Sequence, residues 1–326
     1  MSSLTTPTAF RHLGNSGLVV STAGLGCNNL GRPGAATEDL AGTRALIDAA
    51  LDAGITLFDV ADMYGTPQGR SEELLGAALG NRRDDVVIAT KFGMSMNGAN
   101  GPDFGARGSR RYIYRAVEAS LKRLGTDRID LYQMHEPNPA TPIAETLAAL
   151  DTLVKDGKVR YIGHSNFAGW QLADAAWTAE TAGFTSFVSA QNEYSLLQRD
   201  VEVELLPAAE AFGVGVLPFY PLANGLLTGK YTRDAAPSDS RLAKFKPALL
   251  ETAPWDVLEA LAAFAAERDI TMLELTFGWL LARPAVTSVI AGATTAEQVR
   301  ANAAAATAWT PSDADLDAID SIIDAG

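Results

Sequence analysis

The stretch SRRYIYRAVEASLKRLGTDRIDLYQMH, residues 109–135, decides the fold. A helical pattern over 109–125 closes on Gly125, as helix C-termini commonly do. An apolar strand, DLYQMH at 130–135, follows and ends on His135. The same succession recurs along nearly the whole chain. Strands read as STAGLG (21–26), TLFDVA (56–61), VVIATK (86–91), DLYQMH (130–135), YIGHSN (161–166), SFVSAQ (186–191), GVGVLPFY (213–220) and TSVIAGA (287–293). Between them lie helical patterns such as EDLAGTRALIDAALDAG and TPIAETLAALDTLVKDGK. Regular alternation implies parallel strands covered by helices. Eight such units fit the α/β class and a (β/α)8 TIM barrel.

A doubly wound sheet is the rival, and it wants a Gly-rich turn after an early strand. GLGCNNLG at 24–31 lacks the third glycine of that turn and leads into a loop. Two segments stand outside the alternation. FRHLGNSGLVVS (10–21) reads as a hairpin turning at Asn15-Ser16-Gly17 and capping the barrel bottom. SDADLDAIDSIID, after Pro311, reads as an extra C-terminal helix with an acidic start. With no linker, repeat or low-complexity tract, residues 1–326 are expected to form a single domain.

The formal net charge of -13 argues against a general nucleic-acid binder. One cysteine, Cys27, excludes an intrachain disulfide and a cysteine-built metal site. The three histidines form no HExxH string, and no EF-hand loop occurs, so no metal is expected. The N-terminus has no apolar signal core, and no segment reaches the roughly 20 apolar residues of a membrane span. A cytoplasmic protein is the simplest expectation.

In a barrel, chemistry gathers at the C-terminal ends of the strands. Asp59 lies near the end of strand two, Tyr64 in the following loop, Lys91 at the end of strand three and His135 at the end of strand four. Each alone is commonly structural: a cap, a tether, an ion-pair partner, a core imidazole. Together they place an acid, a phenol, an amine and an imidazole on neighbouring strand ends. A phenol with a pKa near about 10 donates a proton poorly at neutral pH, and a nearby ammonium lowers that value. Lys91 is expected to supply the charge, Asp59 to hold Lys91, and His135 to orient a substrate oxygen. The set suits protonation of an oxygen that gains negative charge.

With these residues in place, the chain resembles the aldo-keto reductases. The resemblance rests on LFDVADMYG, ATKFG, ASLKRLGTDRIDLYQMHEP, VRYIGHSNF, QNEYSLLQRD, PLANGLLTGKY and GATTAEQVRAN, in family order. The wording is closer to the branch holding potassium-channel β subunits and many bacterial reductases than to the aldose-reductase branch. The resemblance implies carbonyl reduction by NADPH, with NADH possible and no metal. It makes Tyr64 the proton donor, His135 the orienting group, and Lys91 with Asp59 the pair that tunes the phenol.

It also places Ser165, Asn166 and Gln191 against a nicotinamide carboxamide, with Phe219 stacked on the ring. Tyr220 stands where the family often has serine, which changes the local pocket shape. Pro221, Leu222, Gly225 and Lys230, and then Gly292, Thr294, Gln298 and Asn302, fall in the matched cofactor segments. Arg241 looks like a phosphate contact. Charge alone gives a separate argument. Residues 230–246 carry Lys230, Arg233, Arg241, Lys244 and Lys246 against Asp234 and Asp239, net +3, as suits a phosphate-rich ligand. Thr295 and Gln298 have capping-box spacing at a helix N-terminus, a natural anion site, with Arg300 nearby.

Phe92, Met94, Met96, Trp170, Tyr194 and Tyr220 are the expected pocket walls, in part on the Gly- and Asn-rich loop after strand three. They point to an apolar or aromatic carbonyl compound. Two other readings stand beside the reductase. One is a slow-turnover NADPH-binding regulatory subunit like the channel β subunits, with an unknown protein partner. The other is a Schiff-base lyase using Lys91 as nucleophile.

Overall fold

The computed structural model describes residues 9–237, 240, 242–243 and 246–325. Strands β1 (Phe10–His12) and β2 (Val19–Ser21) form an antiparallel hairpin. Eight parallel strands follow: β3 (Ala23–Gly26), β4 (Leu57–Asp59), β5 (Val87–Phe92), β6 (Ile129–Met134), β7 (Val159–Ser165), β8 (Ser189–Gln191), β9 (Gly215–Val216) and β10 (Val289–Gly292). Their spatial order is their sequence order, with β10 beside β3. Backbone bonds from Val216 N to Ala285 O (2.7 Å), Thr287 N to Val216 O (2.9 Å) and Ile290 N to Pro218 O (3.0 Å) join β9 to the approach of β10 and close the ring.

Helices α1 (Leu40–Asp52), α2 (Arg70–Leu79), α3 (Arg110–Leu124), α4 (Ile143–Lys155), α5 (Gly169–Ala182) and α6 (Leu205–Phe212) follow β3 to β8 in turn. After β9 come α7 (Ala248–Glu251), α8 (Trp255–Ala266) and α9 (Met272–Leu281). After β10 comes α10 (Ala296–Ala308), then the extra helix α11 (Asp313–Asp324). The helix of the opening stretch begins where the Ser109 side chain accepts from Tyr112 N, and it ends on Gly125 at φ 64.

Side chains alternate faces along each strand. On β5, Ala89 and Lys91 face the barrel interior, while Ile88, Thr90 and Phe92 meet the helices. Leu57, Ala89, Leu131, Leu217 and Ile290 form the inner apolar cluster. Leu13 and Val20 of the hairpin complete it, so the hairpin plugs the bottom as expected. Its turn requires Gly14: φ is 56, and a Cβ there would lie 2.3 Å from Gly213 O.

The strand expected over 213–220 is confined to Gly215–Val216. Pro218 has no N–H for a ladder, and Tyr220 adopts φ 50, which ends an extended chain. The run 21–26 divides, because Ser21 ends the hairpin and Ala23 starts the barrel. Among the described residues, no helix is long and apolar enough to cross a membrane.

Candidate active site

The interior is apolar below and polar at the mouth, and one ion pair marks the change. Lys91 is fully buried, and Nζ donates to Asp59 Oδ2 (2.6 Å), Asp59 Oδ1 (2.7 Å) and Val60 O (3.1 Å). Asp59 Oδ1 also accepts from Gln191 Nε2 at 2.8 Å and from Gln133 Nε2 at 3.5 Å. Ser189 Oγ in turn donates to Gln133 Oε1 at 3.2 Å. Buried charges require such partners, since desolvation costs several kcal/mol per ion. Burial pulls the Lys91 ammonium down, but the Asp59 charge first, with the nearby Tyr64 phenol, outweighs it and leaves it above its ordinary value. A protonated amine held by three acceptors is a poor nucleophile, which removes the basis of the Schiff-base reading.

Tyr64 stands over this pair. Lys91 Nζ lies 5.2 Å from the centroid of its ring. The loop after β4 fixes the residue: its N donates to Ala61 O, and its O accepts from Gly69 N and Ser71 N. Lys91 pulls this phenol down as expected, but it does not set the net direction. Burial is the largest effect and raises the phenol above its ordinary value; the Lys91 ammonium opposes it only in part, and the Asp59 charge adds to the rise.

His135 meets the Tyr64 ring edge-on, with centroids 5.7 Å apart and planes at 82°. It follows β6, with its N donating to Phe92 O at 2.7 Å and its O accepting from Asn166 Nδ2 at 2.9 Å. Burial first, then the Lys91 charge, lowers the imidazole to about 3. The ring is therefore neutral and carries one N–H. Its Nδ1 is buried with no hydrogen-bond partner among the described residues. An acid, a charged neighbour and a neutral N–H donor thus converge at one mouth. Such a set can bind an oxygen and deliver a proton to it.

A second buried imidazole, His164, faces outward from β7 between Phe167 and Phe187, and neither ring nitrogen has a partner among the described residues. Burial lowers it too, to about 3. Both histidines therefore bind a proton more readily unfolded than folded. Their contribution to stability is fully present above pH 6.5 and is lost as pH falls toward about 3. Each pH unit in that window is expected to cost up to about 1.4 kcal/mol per histidine. Asp62, which burial raises to about 8, holds an extra proton in the folded state and offsets about one histidine across this window. Urea unfolding at pH 7, 6 and 5 measures the remaining slope, which His164→Leu should nearly abolish. Equal slopes in the two proteins would contradict the assignment.

The described positions expected to hold a cofactor lie at the ends of β7, β8 and β10, in the segments that follow β7, β9 and β10, and in the first turns of α10. Ser165 is buried and its Oγ accepts from Asn166 Nδ2 at 3.0 Å. Gln191 spends its amide nitrogen on Asp59. Phe219 and Tyr220 pack edge to face at 5.2 Å. Pro221 is buried, while Leu222 and Gly225 are half-buried in a kinked turn. Asn166, Tyr220, Ala223 and Asn224 all have positive φ, 60, 50, 45 and 59. Backbone strain of this kind gathers at ligand sites.

Gly292 is exposed, and Thr294 N and Oγ1 donate to Gln298 Oε1 at 2.8 and 3.2 Å. Gln298 N donates to Thr295 Oγ1, so half of the expected capping box forms; the Gln298 side chain serves Thr294 in place of the Thr295 backbone. Asn302 is buried one turn on, and Arg300 is exposed. The basic loop is less uniform than its charge implied. Arg233 turns to Asp256 and Glu259 of α8, at 2.5 and 3.1 Å. Lys246 Nζ reaches Asn224 Oδ1 at 3.0 Å, and Lys230 is exposed beside Tyr231. Arg241 and Lys244 lie outside the described residues.

The pocket-wall expectations divide. Met94 and Tyr220 are half-buried at the mouth side. Phe92 is corrected: on the face of β5 opposite Lys91, it is fully buried and stacked on Tyr132 with centroids 4.7 Å apart. Tyr194 is corrected as well, being buried against Trp279 with its hydroxyl donating to Glu202 Oε1 at 2.6 Å. Trp170 is 62% exposed at the start of α5, and Met96 is buried. Gln133 and Ser189 were missed. The signal was available: each lies two residues before a recognised position, His135 or Gln191, and so shares its face.

Comparison with known proteins agrees with this geometry. The profile of the Aldo/keto reductase family matches residues 23–324. An uncharacterized oxidoreductase of Bacillus subtilis, YrpG, is 41% identical, covering 89% of each chain. A probable voltage-gated potassium channel subunit beta of Arabidopsis thaliana is 36% identical over 90% of this chain and 89% of its own. The L-glyceraldehyde 3-phosphate reductase of Escherichia coli K12 is 36% identical over 95% of this chain and 91% of its own. With a barrel, a mouth built on four strand ends and a match over nearly its whole length, the chain belongs to the aldo/keto reductase family.

Proposed function

We propose that this protein reduces aldehyde or ketone carbonyls to alcohols with NADPH, and that Tyr64 gives the proton. The observation that carries the reading is the buried Lys91–Asp59 pair 5.2 Å below the Tyr64 ring, with a neutral His135 at its edge. The His135 N–H orients the carbonyl oxygen. Tyr64 keeps its proton at neutral pH, because burial holds the phenol above its ordinary value. When the oxygen gains charge, Tyr64 releases that proton, and the Lys91 ammonium stabilises the phenolate left behind. Asp59, with Gln191 and Gln133, keeps Lys91 in place. General-acid assistance of this kind contributes about 10²–10⁴ in rate.

The residues present fit a nicotinamide dinucleotide. Ser165 and Asn166 offer hydroxyl and amide groups to a carboxamide, Phe219 offers a ring face, and the N-terminus of α10 offers amides to a phosphate. Bound there, the reduced nicotinamide would supply a hydride to the carbonyl carbon. A panel of carbonyl compounds, followed by loss of NADPH absorbance beside NADH, tests the reading. It should include 4-nitrobenzaldehyde, apolar ketones and, because one relative is named for it, glyceraldehyde 3-phosphate. Turnover of at least one class, faster with NADPH, is expected. No turnover of any carbonyl by NADPH-bound protein would sink the proposal.

The relative named as a probable channel subunit beta supports a second reading, a regulatory protein that holds NADPH and turns over slowly. One rapid round of oxidation followed by slow product release would favour it over a working reductase.

A further inference from the structure

Behind the active site, between the barrel wall and α2 and α3, lies a second buried polar cluster that the proposed chemistry does not use. Asp62 and Glu72 are both fully buried. Asp62 Oδ2 accepts from Asn100 Nδ2 at 3.0 Å, and Asp62 Oδ1 has no partner among the described residues. Asn100 Oδ1 accepts from Arg123 Nη1 at 3.2 Å. Arg123 Nε donates to Glu72 Oε2 at 2.6 Å, and Thr90 Oγ1 donates to Glu72 Oε1 at 2.6 Å. Asp62 lies two residues before Tyr64, and its own N donates to Lys91 O at 3.1 Å.

Asn100 belongs to the loop between β5 and α3 that carries Met94. This loop also touches the Tyr64 loop through Gln68 Nε2 to Ser95 O (3.0 Å) and Asn97 Nδ2 to Gln68 Oε1 (3.3 Å). Both of those bonds are exposed, and water competes for them; the Asn100 bond is buried.

We propose that Asp62 is a positioning residue: it holds Asn100, and through it the β5–α3 loop, against the segment that carries Tyr64. The inference rests on the carbonyl-reductase reading for its kinetic consequence but not for its structural one. The charge balance says in which state Asp62 works. Facing it are Glu72 from α2, Arg123 and Tyr112 from α3, and Tyr132 from β6, whose hydroxyl is buried without a partner among the described residues. Lys91 is already taken by Asp59. One guanidinium therefore serves two carboxyls, and it is bonded to Glu72. Asp62 is left neutral: burial, reinforced by the Glu72 charge, raises it to about 8 despite Arg123 and Asn100. The neutral acid binds Asn100 without a second buried negative charge. Its contribution to stability is complete below about pH 4, declines as pH rises, and is gone by about 8.

The test compares wild type, Asp62→Asn and Asp62→Ala by hydrogen–deuterium exchange of residues 94–101 and by aldehyde kinetics. At pH 7, Asp62→Ala should speed exchange in the loop by about tenfold and raise KM for the aldehyde by a similar factor, with kcat within about threefold. Asp62→Asn, neutral and of the same shape, should match wild type in both. Unchanged loop exchange in Asp62→Ala, or an Asp62→Asn protein as loose as Asp62→Ala at pH 7, overturns the assignment. Should Asp62→Ala fail to fold, Asn100→Ala, which removes the same bond from the loop side, takes its place, and unchanged exchange of residues 94–101 there overturns the assignment. Should no carbonyl be reduced, the reductase reading fails while the exchange data still judge Asp62.

Discussion

Tyr64→Phe should lower kcat/KM for a good aldehyde by about 10²–10⁴ while NADPH affinity stays within about twofold of wild type. The substitution removes one oxygen and keeps the ring that packs against His135 and over Lys91. Its effect therefore falls on proton delivery and not on the shape of the mouth. The loss should appear in kcat as well as kcat/KM, because the missing interaction strengthens as the oxygen gains charge. Cofactor fluorescence titration checks the binding half, and initial rates check the other. A variant that reduces the aldehyde at the wild-type rate assigns the acid to another group.

Lys91→Met and Asp59→Asn should each damage the molecule twice. Either change leaves one charge of a fully buried pair without its counter-ion, a loss of about 3–5 kcal/mol. Lys91→Met also strips the phenolate of its neighbouring cation, so turnover should collapse even in the folded fraction. Asp59→Asn loosens Gln191 and Gln133 as well, since both donate to the same carboxylate oxygen. The double variant Asp59→Asn/Lys91→Met separates the two effects. A neutral, volume-conserving replacement of a buried ion pair is often tolerated, so stability should largely return while activity does not. Urea unfolding of the three variants measures the first effect, and NADPH oxidation the second. A Lys91→Met protein as stable and active as wild type would contradict both assignments.

The barrel was legible because parallel strands buried on both faces give short apolar runs, and the helices between them end on glycines such as Gly125. The polar strand ends were legible for the same reason: Asp59, Lys91 and His135 interrupt runs that have no other cause for charge. Where the reading failed, the cause lay in face or distance. Phe92 sits next to Lys91 in sequence, yet a strand turns successive side chains to opposite faces, and Phe92 joins the outer core. The lowering effect of Lys91 on Tyr64 was legible, but its balance was not, because sequence shows which charge stands near a phenol and not how much water folding removes from it. Arg233 counts toward a phosphate in sequence, but α8 brings Asp256 and Glu259 to it from more than twenty residues away. The Asp62–Asn100–Arg123–Glu72 cluster draws on four segments that share no local pattern, so only the fold assembles it.

The central claim is that Tyr64 gives up its proton in the same step that turns a carbonyl into an alcohol. Stopped-flow oxidation of protein-bound NADPH by saturating 4-nitrobenzaldehyde, run in H2O and in D2O at pH 7, tests it most directly. A single rapid phase that slows in D2O is expected. Equal rates in the two solvents would mean that no proton moves in that step, and Tyr64 and Lys91 would not have the roles of acid and stabilising cation.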